Sequence, residues 1–212
     1  DDVWLPAKLE LQCAFMGANH LDMCFCDYQT IDESGKNNSI FETVSFSNFS
    51  YLKLRRKILT GNFILGSASS VMVKKTIISS VGLFDEKIKW GGDWEYWMRI
   101  IFNTKYIGFL QKELVLIRFG ITQVQSTLNS EKRLQDVLFI LNKALISYDL
   151  TRNERISVHV TAFKTMYAYQ SSFKELFKAY LLVLKVGFVA AFSPDLIWLL
   201  LKYPMRKLKN AI

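Results

Sequence analysis

Residues 61–99 read GNFILGSASSVMVKKTIISSVGLFDEKIKWGGDWEYWMR, and the order of apolar and glycine-rich pieces in this stretch decides the fold. The apolar run predicts a strand over Ser70–Val73, a short helix over Lys74–Val81, a loop punctuated by glycine, and a second helix opening at an acidic residue. In that second helix Trp94, Trp97, Met98 and Ile101 fall at i, i+3, i+4 and i+7, one apolar stripe at helical period. Asp93 then lies in the first turn, at the exposed end of a buried element, and Gly91 and Gly92 before it let the backbone approach a ligand closely. Position alone leaves two readings of Asp93: a helix cap satisfying free backbone N–H groups, or a carboxylate held for catalysis.

The series SSVMVKK, VGLFDEKIK and GGDWEYWMR resembles the second half of the catalytic domain of family 2 glycosyltransferases of the GT-A fold. There a strand with paired serines, a VGxFDE turn and a G-E-D-W-x-x-W-x-R helix follow in that order. The resemblance implies an α/β fold with a GT-A-like mixed sheet, and it implies that Asp93 is the base that deprotonates the acceptor hydroxyl. Gly92 stands where the family usually has Glu, so the acidic pair is reduced to one member.

The opening residues, DDVWLPAKLELQ, are similar to the family's D-x-D-D-x-W-x-P-x-K-L-E-x-Q segment, which carries its metal site. On that match Asp1 is the second acid of the D-x-D motif and a ligand of a divalent metal, magnesium or manganese, and Asp2 is the acid after it. A hard cation takes oxygen ligands and neutralises the phosphates of a departing nucleotide. Read without the family, two acids followed by Pro6 are a helix beginning. The resemblance also carries substrate contacts onto Asp2, Trp4, Ser70, Trp90, Gly91, Gly92, Trp94, Glu95 and Gln125. Trp90, Trp94 and Trp97 read as core or as a wall for sugar stacking; Glu95 reads as an acceptor contact or a solvated helix carboxylate, and Arg99 as paired with a neighbouring acid.

Working outward, Leu5–Ala18 reads as a helix with Leu5, Leu9, Gln12 or Cys13, and Met16 facing inward. Met23–Tyr28 reads as a strand ending at the Asp32-Glu33-Ser34-Gly35 turn, with Asp27 as a strand-end residue. Residues 36–50 form a polar loop, and Tyr51–Leu59 a short helix whose Lys53, Arg55, Arg56 and Lys57 make a solvated basic face. Tyr106–Leu110 and Leu114–Phe119 read as two strands, with Arg118 a strand-end charge. Residues 120–126 are similar to the family's R-x-[HG]-x-x-x-Q-x-S loop, with Gly120 where many members place a metal- or phosphate-binding His.

Beyond residue 128 the chain reads as helical, over Lys132–Ser147, Arg152–Gln170 and Phe173–Phe188, which divides it into an acceptor-side half (1–128) and a C-terminal helical region (129–212). In the last helix Phe173, Leu176, Phe177, Tyr180, Leu181, Leu184 and Phe188 share one face and Lys174, Lys178 and Lys185 another. Such a helix either packs on its own domain or lies in the interface of an anionic membrane. The apolar run from Val186 to Leu201 is broken by Pro194 and Asp195 and falls short of the ~20 residues a span needs.

The 212 residues are half hydrophobic and 14% aromatic, enough for a sizeable core, and carry a net charge of +8. Three cysteines, Cys13, Cys24 and Cys26, form no disulfide framework, and with only His20 and His159 beside them a zinc site is excluded; buried, reduced thiols are expected. The positive charge is spread and carries no nucleic-acid signature, so the anionic partners implied are a nucleotide-sugar and lipid head groups. Taken with the resemblance, this implies an inverting transferase acting on a glycan or lipid-linked acceptor in polysaccharide biosynthesis, cytoplasmic and peripheral to the inner face of the cell membrane. Nothing resembles the family's N-terminal nucleotide-binding half, so a fragment inactive alone is expected. The alternative is a non-catalytic, membrane-associated interaction module derived from such an enzyme.

Overall fold

The computed structural model describes residues 2–37, 50–64, 66–118, 130–169, 171–187, 191, 194 and 196–199. Asp1, Gln125, most of the 36–50 loop, the 120–126 loop, Asp195 and the basic tail lie outside them. The chain divides into two compact units, one of Asp1–Ile58 with Asn62–Thr127, the other of Leu59–Gly61 with Leu128–Ile212.

The first unit is built on a four-stranded mixed sheet. Its strands are β1 (Val3–Trp4), β2 (Met23–Ile31), β3 (Val71–Val73) and β4 (Ile107–Arg118), in the order β1-β4-β2-β3. β2 and β4 run parallel from Met23↔Ile107 to Ile31↔Arg118, while β1 and β3 pair antiparallel at the two edges. A central parallel strand is covered on both faces, which accounts for the unbroken buried run of β2 from Met23 through Asp27. Phe25 lies at the middle of this core, its ring 5.2 Å from that of Phe109 and 6.1 Å from that of Phe63.

Where two strands were expected over 106–119, one strand is found. Its pairing jumps from Cys26↔Leu110 to Asp27↔Glu113 and then to Tyr28↔Val115, so polar Gln111 and Lys112 are accommodated in a bulge without ending the ladder. Asp27 is accordingly a mid-strand residue at this irregularity, not a strand end.

Around the sheet lie α1 (Lys8–Ala18), α2 (Tyr51–Ile58), α3 (Ser67–Ser70), α4 (Lys75–Val81) and α5 (Gly92–Asn103). α1 begins later than expected, because the Leu5 N–H still pairs with the Leu114 carbonyl at 3.0 Å. Of its expected inward face Gln12 and Met16 are buried, and Lys8 is buried with them, while Leu9 and Cys13 are exposed. The Lys8 ammonium, pushed below its ordinary value by burial, donates to Gln12 Oε1 at 2.7 Å and lies 4.1 Å from the centre of the Trp4 ring. Gln12 Nε2 in turn donates to the Ser70 carbonyl at 2.9 Å. A polar chain fills the place an apolar stripe was expected to fill. Burial pushes the Cys24 and Cys26 thiols up to about 11, so these two are the inert, buried cysteines expected, and Cys13 is not.

In the second unit, α6 (Ser130–Ser147), α7 (Arg152–Ala168) and α8 (Phe173–Val186) follow one another. α7 and α8 each open on a capping box, Thr151 with Glu154 and Ser172 with Glu175, in which the side chain and the backbone N–H of each pair are exchanged. Phe163 and Tyr167 of α7 and Leu176, Ala179 and Val183 of α8 form the core with Ala191 and Leu196. The single apolar face read for α8 is split: Leu176 is buried, whereas Phe173, Phe177 and Leu181 are about half exposed. Among the described residues no helix is long and apolar enough to cross a membrane.

Candidate functional site

α5 begins one residue earlier than its acid. Gly91 is the cap, in the left-handed conformation at φ 77°, and Gly92 is the first helical residue, so Asp93 sits inside the first turn rather than at the cap. Its Oδ1 accepts the Trp94 N–H at 2.8 Å, and its Oδ2 accepts Asn62 Nδ2 at 2.8 Å. Asn62 is itself oriented, because its Oδ1 accepts the Ile64 N–H at 3.1 Å and leaves the amino end turned to Asp93. The carboxylate is half-buried and held from two sides at the mouth of the helix. A Cβ added at Gly92, where the resembling family usually has Glu, would meet no atom within 4 Å, so crowding at that first carbon does not account for the glycine.

Behind this mouth the helix is buried on nearly every side. Trp94 is 4% exposed and its indole N–H donates to the Ile58 carbonyl at 2.5 Å; it anchors α5 in the core, as does Trp97, and Trp90 is half-buried. Glu95 is 2% exposed, not a solvated carboxylate, and pairs with Arg99 at 2.9 Å. Arg99 Nη1 donates to the Val81 carbonyl at 2.6 Å and Nη2 to that of Leu83 at 2.8 Å, while Phe84 stacks on Tyr96 at 4.1 Å. The VGLFDE turn and the GGDWEYWMR helix are thus one structural piece: the arginine ties the turn to the helix that carries Asp93.

The second acid lies at the sheet end where β1 starts and β2 and β4 finish. Asp2 Oδ2 accepts Ser69 Oγ at 2.5 Å, and its Oδ1 accepts the Arg118 N–H at 3.2 Å. The Arg118 guanidinium donates to the carbonyls of Asp32 at 2.8 Å and Glu33 at 3.0 Å, so this residue is a clamp on the turn after β2 rather than a spare charge. Of the paired serines it is Ser69 that reaches the acid; Ser70 is fully buried. Trp4 is half exposed over Lys8. Asp2, expected as a substrate contact, keeps lone pairs after these two bonds, while Asp1, the expected metal ligand, lies outside the described residues. Among the described residues no group of three or more His, Cys, Asp or Glu gathers to hold a metal.

One piece of chain connects the two acids. Asn62 holds Asp93 and Ser69 holds Asp2, and seven residue steps span at most about 25 Å when fully extended. The real path is shorter, since it turns at Gly66 (φ 75°) into α3. Both ends of it rest on β2 at the same residue: Phe63 packs its ring on Phe25, and Val71 pairs with Phe25 in the β2–β3 ladder. Ser69 is read only as one of the paired serines and Asn62 is not singled out by sequence reading; the one available signal for Asn62 is its place directly before the apolar Phe63-Ile64 pair.

Asp27 is drawn into neither acid. It is 7% exposed in β2 opposite Glu113, and burial pushes its carboxyl above the usual range, with the Glu113 charge adding to the effect.

No family model matches the chain. In sequence it is 27% identical over 142 residues to an uncharacterized glycosyltransferase of Rickettsia prowazekii, a match covering 65% of this chain and 43% of that protein. An uncharacterized glycosyltransferase of Rickettsia typhi is 24% identical over 216 residues, covering 96% of this chain and 65% of the relative. One from Methanocaldococcus jannaschii is 26% identical over 119 residues, 56% of this chain and 39% of that one. The chain therefore spans from about two fifths to about two thirds of the length of these relatives. In structure it matches S. aureus TarS residues 1–349, crystallised in complex with UDP-GlcNAc, at a TM-score of 0.57 and 12% identity, covering 97% of this chain and 66% of that one. The mixed α/β architecture is that of the TarS glycosyltransferase fold.

Proposed function

We propose that this chain is the acceptor-side part of an inverting family 2 glycosyltransferase, which moves a sugar from a nucleotide-sugar to a hydroxyl of a glycan or lipid-linked acceptor in cell-surface polysaccharide synthesis. The observation that carries the reading is the carboxylate of Asp93, held by Asn62 at the glycine-led start of α5. Relatives named as glycosyltransferases and the TarS fold support the transfer, and the UDP-GlcNAc bound by TarS supports a nucleotide-sugar donor.

In this mechanism Asp93 takes the proton of the acceptor hydroxyl. The hydroxyl oxygen forms its bond to the anomeric carbon from one face while the bond to the diphosphate breaks on the other, and the configuration inverts. Base catalysis of this kind contributes roughly 10²–10⁴-fold. A divalent cation, magnesium or manganese, held at Asp1 beside Asp2 would neutralise the departing diphosphate. Asn62 keeps the accepting oxygen of Asp93 oriented, and Glu95, through Arg99, fixes the turn against which the helix start is set.

The test is sugar transfer by a protein in which a nucleotide-binding half precedes this chain, and by its Asp93→Asn variant, with donor binding measured in parallel. Transfer should fall roughly 10²–10⁴-fold with donor binding kept; transfer that survives the substitution removes Asp93 as the base. The glycine at position 92 favours a second reading, a non-catalytic interaction module, because a Cβ there meets nothing within 4 Å and the backbone does not require the acid's absence. No transfer by either protein, with an acceptor glycan still bound, would select that reading.

A further inference from the structure

The split face of α8 carries an inference independent of Asp93. Leu176, Ala179 and Val183 supply its core side. Phe173, Phe177 and Leu181 follow at i, i+4 and i+8, a row roughly 12 Å long whose members are 50%, 47% and 46% exposed. The two phenylalanine rings stack on each other at 6.2 Å and 19°. Lys174 and Lys178 each follow a member of this row by one residue, and they and Lys185 are exposed beside it. The acid of the helix, Glu175, is engaged at its start, accepting the Ser172 N–H at 2.9 Å and Oγ at 2.8 Å.

A single exposed apolar side chain needs no explanation. A row of three bordered on its outward side by lysines matches the needs of a lipid interface. Aromatic and aliphatic groups sink to the acyl boundary, and lysine stems run along them to place the ammonium groups among phosphates. We propose that the Phe173–Phe177–Leu181 row of α8, with Lys174, Lys178 and Lys185 along its margin, docks on an anionic phospholipid surface. The net charge of +8 adds long-range attraction to the same surface.

The test is flotation of the protein with vesicles of phosphatidylcholine alone and of phosphatidylcholine mixed with phosphatidylglycerol. Binding should appear with the mixed vesicles and weaken with added salt. Each of Lys174→Gln, Lys178→Gln and Lys185→Gln should lower it roughly fivefold, and the double variant Phe173→Ser/Phe177→Ser at least about tenfold. The lysine substitutions leave the helix core untouched, so they decide the matter even where the phenylalanine variant folds poorly. Equal binding to neutral vesicles, no binding to either, or a self-association that the phenylalanine variant abolishes would overturn the proposal. Asp93→Asn should bind vesicles like the parent protein, so failure here leaves the sugar-transfer reading standing, and the reverse holds.

Discussion

Asn62 Nδ2 lies 2.8 Å from Asp93 Oδ2, and the Ile64 N–H fixes the asparagine so that its amino end faces the acid. The bond joins residues 31 positions apart and fixes the orientation of the Asp93 carboxylate. Hydrogen bonds to charged groups are worth about 1.5–3 kcal/mol. Asn62→Ala should therefore lower kcat roughly tenfold or more at little change in the donor KM, and Asn62→Asp should be worse because it sets like charges together. Steady-state kinetics of the two variants check this; an unchanged kcat in both would remove Asn62 as a positioning residue.

The two glycines before Asp93 should behave differently on substitution. Gly91 has φ 77°, where an added Cβ costs roughly 1–2 kcal/mol, so Gly91→Ala should lower the melting temperature by several degrees. Gly92 is helical with open space around it, and Gly92→Ala should raise stability by about 0.5–1 kcal/mol. Thermal melts of the pair decide it.

Arg99→Met should cost about 3 kcal/mol or more, because it strands the Glu95 carboxylate, 2% exposed, and releases the Val81 and Leu83 carbonyls. Adding Glu95→Gln should recover part of the loss, which a double-mutant cycle in denaturant measures. Simple additivity of the two substitutions would show that the pair is not coupled.

Asp27 gives a pH dependence of definite sign. Burial raises its carboxyl above the ordinary value of 3.8, so the folded protein binds this proton more tightly than the unfolded chain. Its contribution is then most favourable at and below that ordinary value and declines as pH rises through the folded one. Asp27→Asn should stabilise the protein at neutral pH and reduce this decline, as seen in denaturant melts from acid to neutral pH. A variant less stable than the parent at neutral pH would show that the charge is used.

What could be read in the amino acids was whatever neighbours along the chain decide. The stripe Trp94, Trp97, Met98 and Ile101 marks a buried helix, and all four residues are buried in α5. The helices of the second unit are local in the same sense. The reading failed where a partner far along the chain decides. Lys8 looks like a surface residue, and the choice between Gln12 and Cys13 stays open, until the Ser70 carbonyl, 58 positions from Gln12, is brought to the Gln12 amide. The polar Gln111-Lys112 pair looks like a break until β2 pairs across it. Glu95 looks solvated until Arg99 reaches past it to the turn at Gly82. Asn62, the residue that grips Asp93, is marked only by its place before the apolar Phe63-Ile64 pair.

The run from Asn62 to Ser69 acts as a yoke between the two acids. Its first residue grips the carboxylate on the acceptor side and its last the one beside the expected cation, with Gly66 wedged against Ile117 and Ser70 so that an added methyl group would lie 2.9 Å from the Ile117 side chain. A residue added to or removed from this run would displace one of its two grips relative to the other.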